Sequence, residues 1–248
     1  MGYELWTSPI TGYRRRGTRL AELRALLTSG ITARAIIEPL LSCPADAPSA
    51  EMRAALDDKG FDIAGVQQRR NGPVIGYIAT ESLTDGHVKD HMNSVSLEQI
   101  TSESTPLVGL LSIFKKRQYV FVLSEQELRG IVTGADLNKP PVRVYLFGLI
   151  SLLEMHLSYW VKATYGNQSW QALLKPERLE DATKVQSAAR SRKQDMALED
   201  CLQFCDSRDL VLASTELREK LVLGSKTKGE AFMRHAEDMR NNLGPAKQ

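Results

Sequence analysis

The pattern of apolar and polar positions changes character twice along the chain. Leu20, Leu23, Leu26 and Leu27 recur at helical spacing before Gly30, so residues 1–30 are expected to hold one amphipathic helix after an irregular start. From Ile31 to about Pro140, short apolar runs alternate with helical stretches. A helix is predicted over 50–59, stopping at Gly60, and strands over 61–66 and 74–78 flank the turn signal Asn71-Gly72. The same order then returns as a helix over 105–116 and strands over 119–123 and 130–133. Helix, strand, strand, twice at an interval of about fifty residues, is an internal repeat. In letters, GFDIAGVQ (60–67) lies on QYVFVLSE (118–125), and GYIATESL (76–83) on GIVTGADL (130–137). The polar connector 84–103 carries a short predicted strand at 97–100.

Beyond Pro140-Pro141 no strand pattern remains. Val142, Leu146, Leu149, Ile150, Leu153, Leu157 and Val161 make 142–165 one long helical pattern, with the prolines near its start, where a missing N–H costs little. Further helices are expected over 177–205, 216–221 and 228–242, with turns at 207–214 and 224–227. The expected fold class is α+β, with tandem αβ repeats followed by an all-helical bundle. Its segments are a basic helical segment (1–30), a repeat module (31–140) and a helical domain (141–248).

Composition narrows the function classes. The 248 residues are 42% hydrophobic and 25% charged, enough for a core that needs no disulfide or metal. A net charge of +2 does not by itself imply a nucleic-acid partner. Arg14, Arg15, Arg16, Arg19 and Arg24 make the N-terminal segment basic, which suits either a solvated helix face or a patch for RNA or an acidic partner. Cys201 and Cys205, four apart on one predicted helix, and the distant Cys43 form no metal-ligand set and read as small buried residues. The N-terminus has no apolar run of signal-peptide length. The longest apolar stretch, 142–153, is broken by Arg143, Gly148 and Ser151 and is short for a membrane span. A cytoplasmic protein with no membrane partner is expected.

The string GIVTGADL carries the chemistry of the first half. A Thr hydroxyl and an Asp carboxylate at a helix start sit beside unpaired backbone N–H groups, which attract phosphate. Over 31–140 the chain resembles the CBS-domain (cystathionine β-synthase-type) family. The resemblance implies an adenine nucleotide (AMP, ADP or ATP) as regulatory ligand. Thr133 and Asp136 would hold its ribose and phosphate, Gly130 opens the motif, and Tyr119, Val120 and Phe121 would flank the adenine. The first repeat departs from the pattern, with Ala79 and Ser82 at the matching positions, so one half-site is expected. Thr133 and Asp136 also suit a plain helix cap with no ligand.

Over 141–248 the chain resembles HEPN domains, helical bundles found in RNA-cleaving toxins and defence proteins. The resemblance rests on EDMRNNLGPAKQ (237–248), in which Arg240 and Asn241 match the family motif. The expected histidine, five residues after Arg240, is Pro245. Metal-independent RNA cleavage needs a group that moves a proton and a cation for the phosphorane charge. Arginine supplies the cation, whereas proline moves no proton. Glu154, among apolar neighbours on the first long helix, is placed to orient Arg240. His156 shares that helix, and His235 faces away from Arg240 on the last one. Together the resemblances imply a nucleotide-sensing pair controlling a metal-independent RNA endonuclease that is silent in this chain, assembled as a homodimer. The alternative is a non-catalytic nucleotide-responsive protein whose helical half dimerises or docks RNA or protein.

Overall fold

The computed structural model describes residues 4–6, 18–194 and 196–243. In chain order the elements are β1 (Glu4–Trp6), β2 (Thr18–Arg19), α1 (Leu20–Gly30), β3 (Glu38–Pro39), β4 (Ser42–Pro44), α2 (Ser49–Lys59), β5 (Ile63–Gln67), β6 (Val74–Ala79), β7 (Ile100–Ser102), α3 (Leu107–Phe114), β8 (Tyr119–Ser124), β9 (Glu127–Thr133), α4 (Pro140–Thr164), α5 (Pro176–Ser191), α6 (Phe204–Ala213), α7 (Thr215–Lys220) and α8 (Lys226–Leu243). The fold is α+β in two compact units. Thr28–Val142 forms one, and the residues before and after it form the other.

In the Thr28–Val142 unit each half is a short strand, a helix and an antiparallel hairpin. The leading strand runs parallel to the first hairpin strand, β4 on β5 and β7 on β8. Val66 faces Gly76 as Val122 faces Gly130. Val66 therefore corresponds to Val122, whereas the letter match above placed it on Ser124. That slip is two residues, and a shift of two keeps every side chain on its own face, so apolar patterning cannot detect it. The first half closes over a core of Cys43, Leu56, Ala64, Val66, Ile78, Leu83 and Val88. Gly60 ends α2 in the left-handed region, at φ 67°, as a stop glycine should.

The halves exchange their leading segments. β3, at the start of the first half, pairs with β9 of the second, giving the sheet order β3-β9-β8-β7. Conversely, Asn93, just before the second half, bridges Tyr77 on β6 of the first. Backbone hydrogen bonds repeat the exchange pair by pair. Ala33 and Arg34 donate to the Thr105 and Glu103 carbonyls at 2.8 and 2.9 Å, and Val88 and Lys89 donate to those of Ala47 and Ala45 at 3.0 and 2.9 Å. Both crossings need a glycine. A Cβ on Gly130 would lie 2.1 Å from Ile37 Cδ1, and one on Gly76 would lie 2.7 Å from the Asn93 carbonyl oxygen. The β8–β9 turn is two residues, Glu125 and Gln126, at φ 49° and 70°. A tight hairpin demands both positive values, and neither residue is suited to them.

Among its described residues the second unit is helical apart from the β1–β2 pair. Ile150, Leu157 and Val161 of α4 pack with Trp170, Phe204, Leu210, Val211, Leu217 and Met233. Leu27 of α1 lies against α4, where a Cβ on Gly148 would come within 2.5 Å of its Cδ2. Two sequence expectations are corrected here. The helix expected over 177–205 breaks after Ser191, where Lys193 turns left-handed at φ 59° and Gln194 donates back to the Ala189 carbonyl. The turn expected over 207–214 is the buried part of α6, with Ser207, Leu210, Val211 and Leu212 inside. Asp206 caps that helix by accepting from Gln203 N at 3.0 Å, and it holds Arg178 of α5 at 2.9 and 2.8 Å. Cys201 and Cys205 therefore lie on separate elements, a 3-10 turn and α6. The 25 residues of α4 exceed the apolar stretch weighed from sequence and are long and apolar enough to cross a membrane by length and composition. Its inward face is the core of the helical unit.

Candidate functional site

Thr133 ends β9, and the 3-10 turn Gly134–Asn138 follows it. The turn brings Asp136 back onto Thr133, whose N–H and Oγ1 both donate to Asp136 Oδ2, at 2.7 and 3.0 Å. The other carboxylate oxygen, Oδ1, lies 2.9 Å from Lys139 Nζ. Lys139 also donates to the Ile36 carbonyl at 2.6 Å and pairs with Glu38 of β3. Asp136 is buried, Thr133 and Lys139 are half-buried, and Gly134 and Ala135 are exposed at the lip. The two residues picked from sequence are thus adjacent and form a capping box.

Tyr119 lies directly across from Thr133 in the β8–β9 ladder. Its ring meets Phe121 at 5.6 Å and Tyr77 of the first half at 6.1 Å between centroids. Burial, then a hydrogen bond shared with Tyr77, pushes the Tyr119 hydroxyl up to about 12. Gln99 Nε2 donates to Tyr77 at 3.2 Å and closes the cluster. Of Tyr119, Val120 and Phe121, the three residues expected to flank a base, only Tyr119 keeps part of its surface exposed. Val120 and Phe121 are wholly inside and leave a ligand no surface. Gly130 has a packing reason of its own, the close passage of Ile37. In the first half Ala79 and Ser82 stand where Thr133 and Asp136 stand, and Ser82 Oγ donates to its own Ala79 carbonyl at 2.6 Å. Sequence reasoning missed Lys139, although a basic residue three after a turn aspartate is a readable signal. It also missed Glu38, Tyr77 and Gln99, which come from distant segments and leave no local trace.

In the helical unit Arg240 Nε meets Glu154 Oε1 at 2.7 Å, with both side chains partly exposed. The last turn of α8 also carries the exposed Asn241. Pro245 lies outside the described residues. His156, beside Trp160 on α4, is half-buried, and burial lowers its pKa. It lines an apolar cavity of about 400 Å³ with Leu153, Leu157, Phe232 and Met233. His235 is exposed. A second cavity, about 170 Å³, lies between Arg208, Lys226, Glu230 and Arg234. Neither cavity is lined by Arg240 or Glu154. Among the described residues no group of three or more His, Cys, Asp or Glu side chains is arranged to hold a metal.

Solved structures similar to this chain include CBS-domain proteins. One from Bacillus anthracis is 12% identical, with 44% of this chain on 91% of that one and a TM-score of 0.39. The CBS domain of the bacterial CNNM/CorC family Mg2+ transporter, in complex with ATP, is 16% identical, with 50% of this chain on 94% of that one and a TM-score of 0.39. CBSX2 in complex with AMP is 18% identical, with 46% of this chain on 98% of that one and a TM-score of 0.39. No protein-family model matches the chain, and no curated protein matches it significantly.

Proposed function

We propose that the Thr28–Val142 unit binds an adenine nucleotide as a regulatory ligand and that the helical unit is the part it regulates. The observation that carries this reading is the acceptor pair of Thr133 and Asp136 beneath the exposed lip of Gly134 and Ala135, across the ladder from the half-buried Tyr119. A carboxylate accepts from vicinal ribose hydroxyls, the Thr133 hydroxyl reaches ribose or phosphate, and Tyr119 stacks on the base. AMP, ADP and ATP share these features. Only the second half carries the acceptor pair, so one site per chain follows. The helical unit dimerises or docks a partner, and two copies of the chain form a symmetric homodimer. Calorimetry on the full chain with AMP, ADP and ATP tests the reading. Asp136→Asn should weaken binding at least about tenfold, or 1.4 kcal/mol. Absence of binding by the parent, or unchanged affinity in a folded variant, refutes it.

A second reading is a HEPN-type ribonuclease, favoured by one observation, the Glu154–Arg240 pair. There Glu154 orients Arg240 for the developing phosphorane charge, and Asn241 contacts the RNA. Pro245 stands where the proton-moving histidine belongs, so the chain as it stands leaves RNA intact. Pro245→His should gain roughly 10² to 10⁴ in cleavage rate, the usual worth of general acid–base help, and lose it again with Arg240→Ala. Intact RNA with a folded, dimeric Pro245→His chain removes this reading.

A further inference from the structure

Asp136 has no idle oxygen. Oδ2 takes both donors of Thr133, and Oδ1 takes the ammonium of Lys139. Lys139 is equally committed. An ammonium has three N–H donors, and three acceptors converge on this one: Asp136 Oδ1, the Ile36 carbonyl and Glu38, the last 101 positions away. The Lys139 side chain is only 27% exposed, so water competes weakly for these contacts. Burial alone would lower the Lys139 pKa, but the hydrogen bonds to Glu38 and Asp136 outweigh it and hold the group above its ordinary value. These hydrogen bonds favour the charged ammonium and keep it a competitor for Asp136. Lys139 is also the residue on which Pro140, the first of α4, is mounted. The first half has nothing comparable, since Asp85 stands where Lys139 stands and Ser82 is satisfied by its own turn.

We propose that Lys139 is a built-in latch on the nucleotide site, which a ribose displaces from Asp136, so that occupancy of the site is read out at the start of α4. This inference rests on the nucleotide reading of Thr133 and Asp136. A ribose hydroxyl donates to Oδ1 in place of the ammonium, and the displaced Lys139 keeps Glu38 as its counter-ion. The backbone of Lys139, whose carbonyl accepts from Val142 N at 3.0 Å in the first turn of α4, moves with it.

Amine acylation of the full chain, read by mass spectrometry with and without saturating AMP, tests the latch in the wild-type protein. Lys139 should label slowly when free of nucleotide and at least about threefold faster with AMP. Lys139→Met, checked for folding by circular dichroism, should bind AMP about fivefold tighter, the factor an ion pair of this exposure is worth. Labelling that stays level or falls on AMP binding, with no gain in affinity for Lys139→Met, overturns the latch and leaves the nucleotide reading standing. If neither chain binds AMP, ADP or ATP, the latch and the nucleotide reading fall together.

Discussion

Gly130→Ala should destabilise the repeat unit without touching a ligand. The added methyl would sit 2.1 Å from Ile37 Cδ1, 2.3 Å from Ile37 Cγ1 and 3.0 Å from the Glu38 carbonyl oxygen. The two severe clashes are with one flexible side chain, and the backbone clash is marginal. Overpacking of this kind costs about 1–3 kcal/mol. Removing the Ile37 side chain beyond Cβ deletes both severe clashes, so Ile37→Ala combined with Gly130→Ala should recover about 1 kcal/mol or more relative to additivity. Gly76→Ala makes the matching crossing fail differently. Its methyl would meet Met92 Cγ at 2.6 Å and also the Asn93 carbonyl oxygen at 2.7 Å, which is backbone. Met92→Ala clears only part of that, so the coupling there should be clearly smaller. Urea unfolding of the four single and two double variants measures both couplings. Equal couplings at the two sites, or a Gly130→Ala chain of full stability that has lost nucleotide binding, would refute the packing argument and return Gly130 to the ligand.

Three further expectations follow from the structure. Gln126→Gly removes a side chain held at φ 70° in the β8–β9 turn and should stabilise the chain by about 0.5–1 kcal/mol in the same unfolding assay, after the flexibility that glycine adds to the unfolded state. Arg178→Met leaves the carboxylate of Asp206, only 5% exposed, without its cation, and should cost about 3–5 kcal/mol, read as an early melt of the helical unit. Burial lowers the His156 pKa below 6.5, so the unfolded chain binds that proton more readily. The stability contributed by neutral His156 is then complete above about pH 6.5 and lost as pH falls below it. A melting series from pH 7.5 to 5 should show that slope, and His156→Gln should flatten it.

The sequence-readable part of this protein is the part made by local rules. The stop at Gly60, the helix of the second half and the start of α4 at its two prolines were all visible, because caps and apolar periods act over a few residues. Thr133 and Asp136 were visible for the same reason, since a capping box is a local structure. What escaped was made by distance or by weak signals. β3 is two residues long and finds its partner in the other half. The break between α5 and α6 turns on Lys193 adopting a left-handed conformation that its residue type does not announce. The Arg178–Asp206 pair that fixes the chain after that break joins residues 28 positions apart. Val120, Phe121 and Val122 are all buried, so both faces of β8 are covered there, which their apolar run alone does not distinguish from a surface for a base. Glu154 and Arg240 show that distance alone does not hide a pair when the chemistry of one member demands the other.

The exchange of leading segments also sets an order in time. Glu38 emerges from the ribosome before Lys139, its partner 101 positions later, has been made. At synthesis rates of about 5–20 residues per second, β3 waits roughly 5–20 s for β9, an unpaired edge in a crowded compartment. Neither half can finish alone during that interval, because each holds a segment that belongs on the other. The nascent chain commits only when the second hairpin is complete. The last residue of that lock is also the one on which α4 begins, so the stretch of the helical unit beyond residue 142 is synthesised only after every residue of that lock has been made.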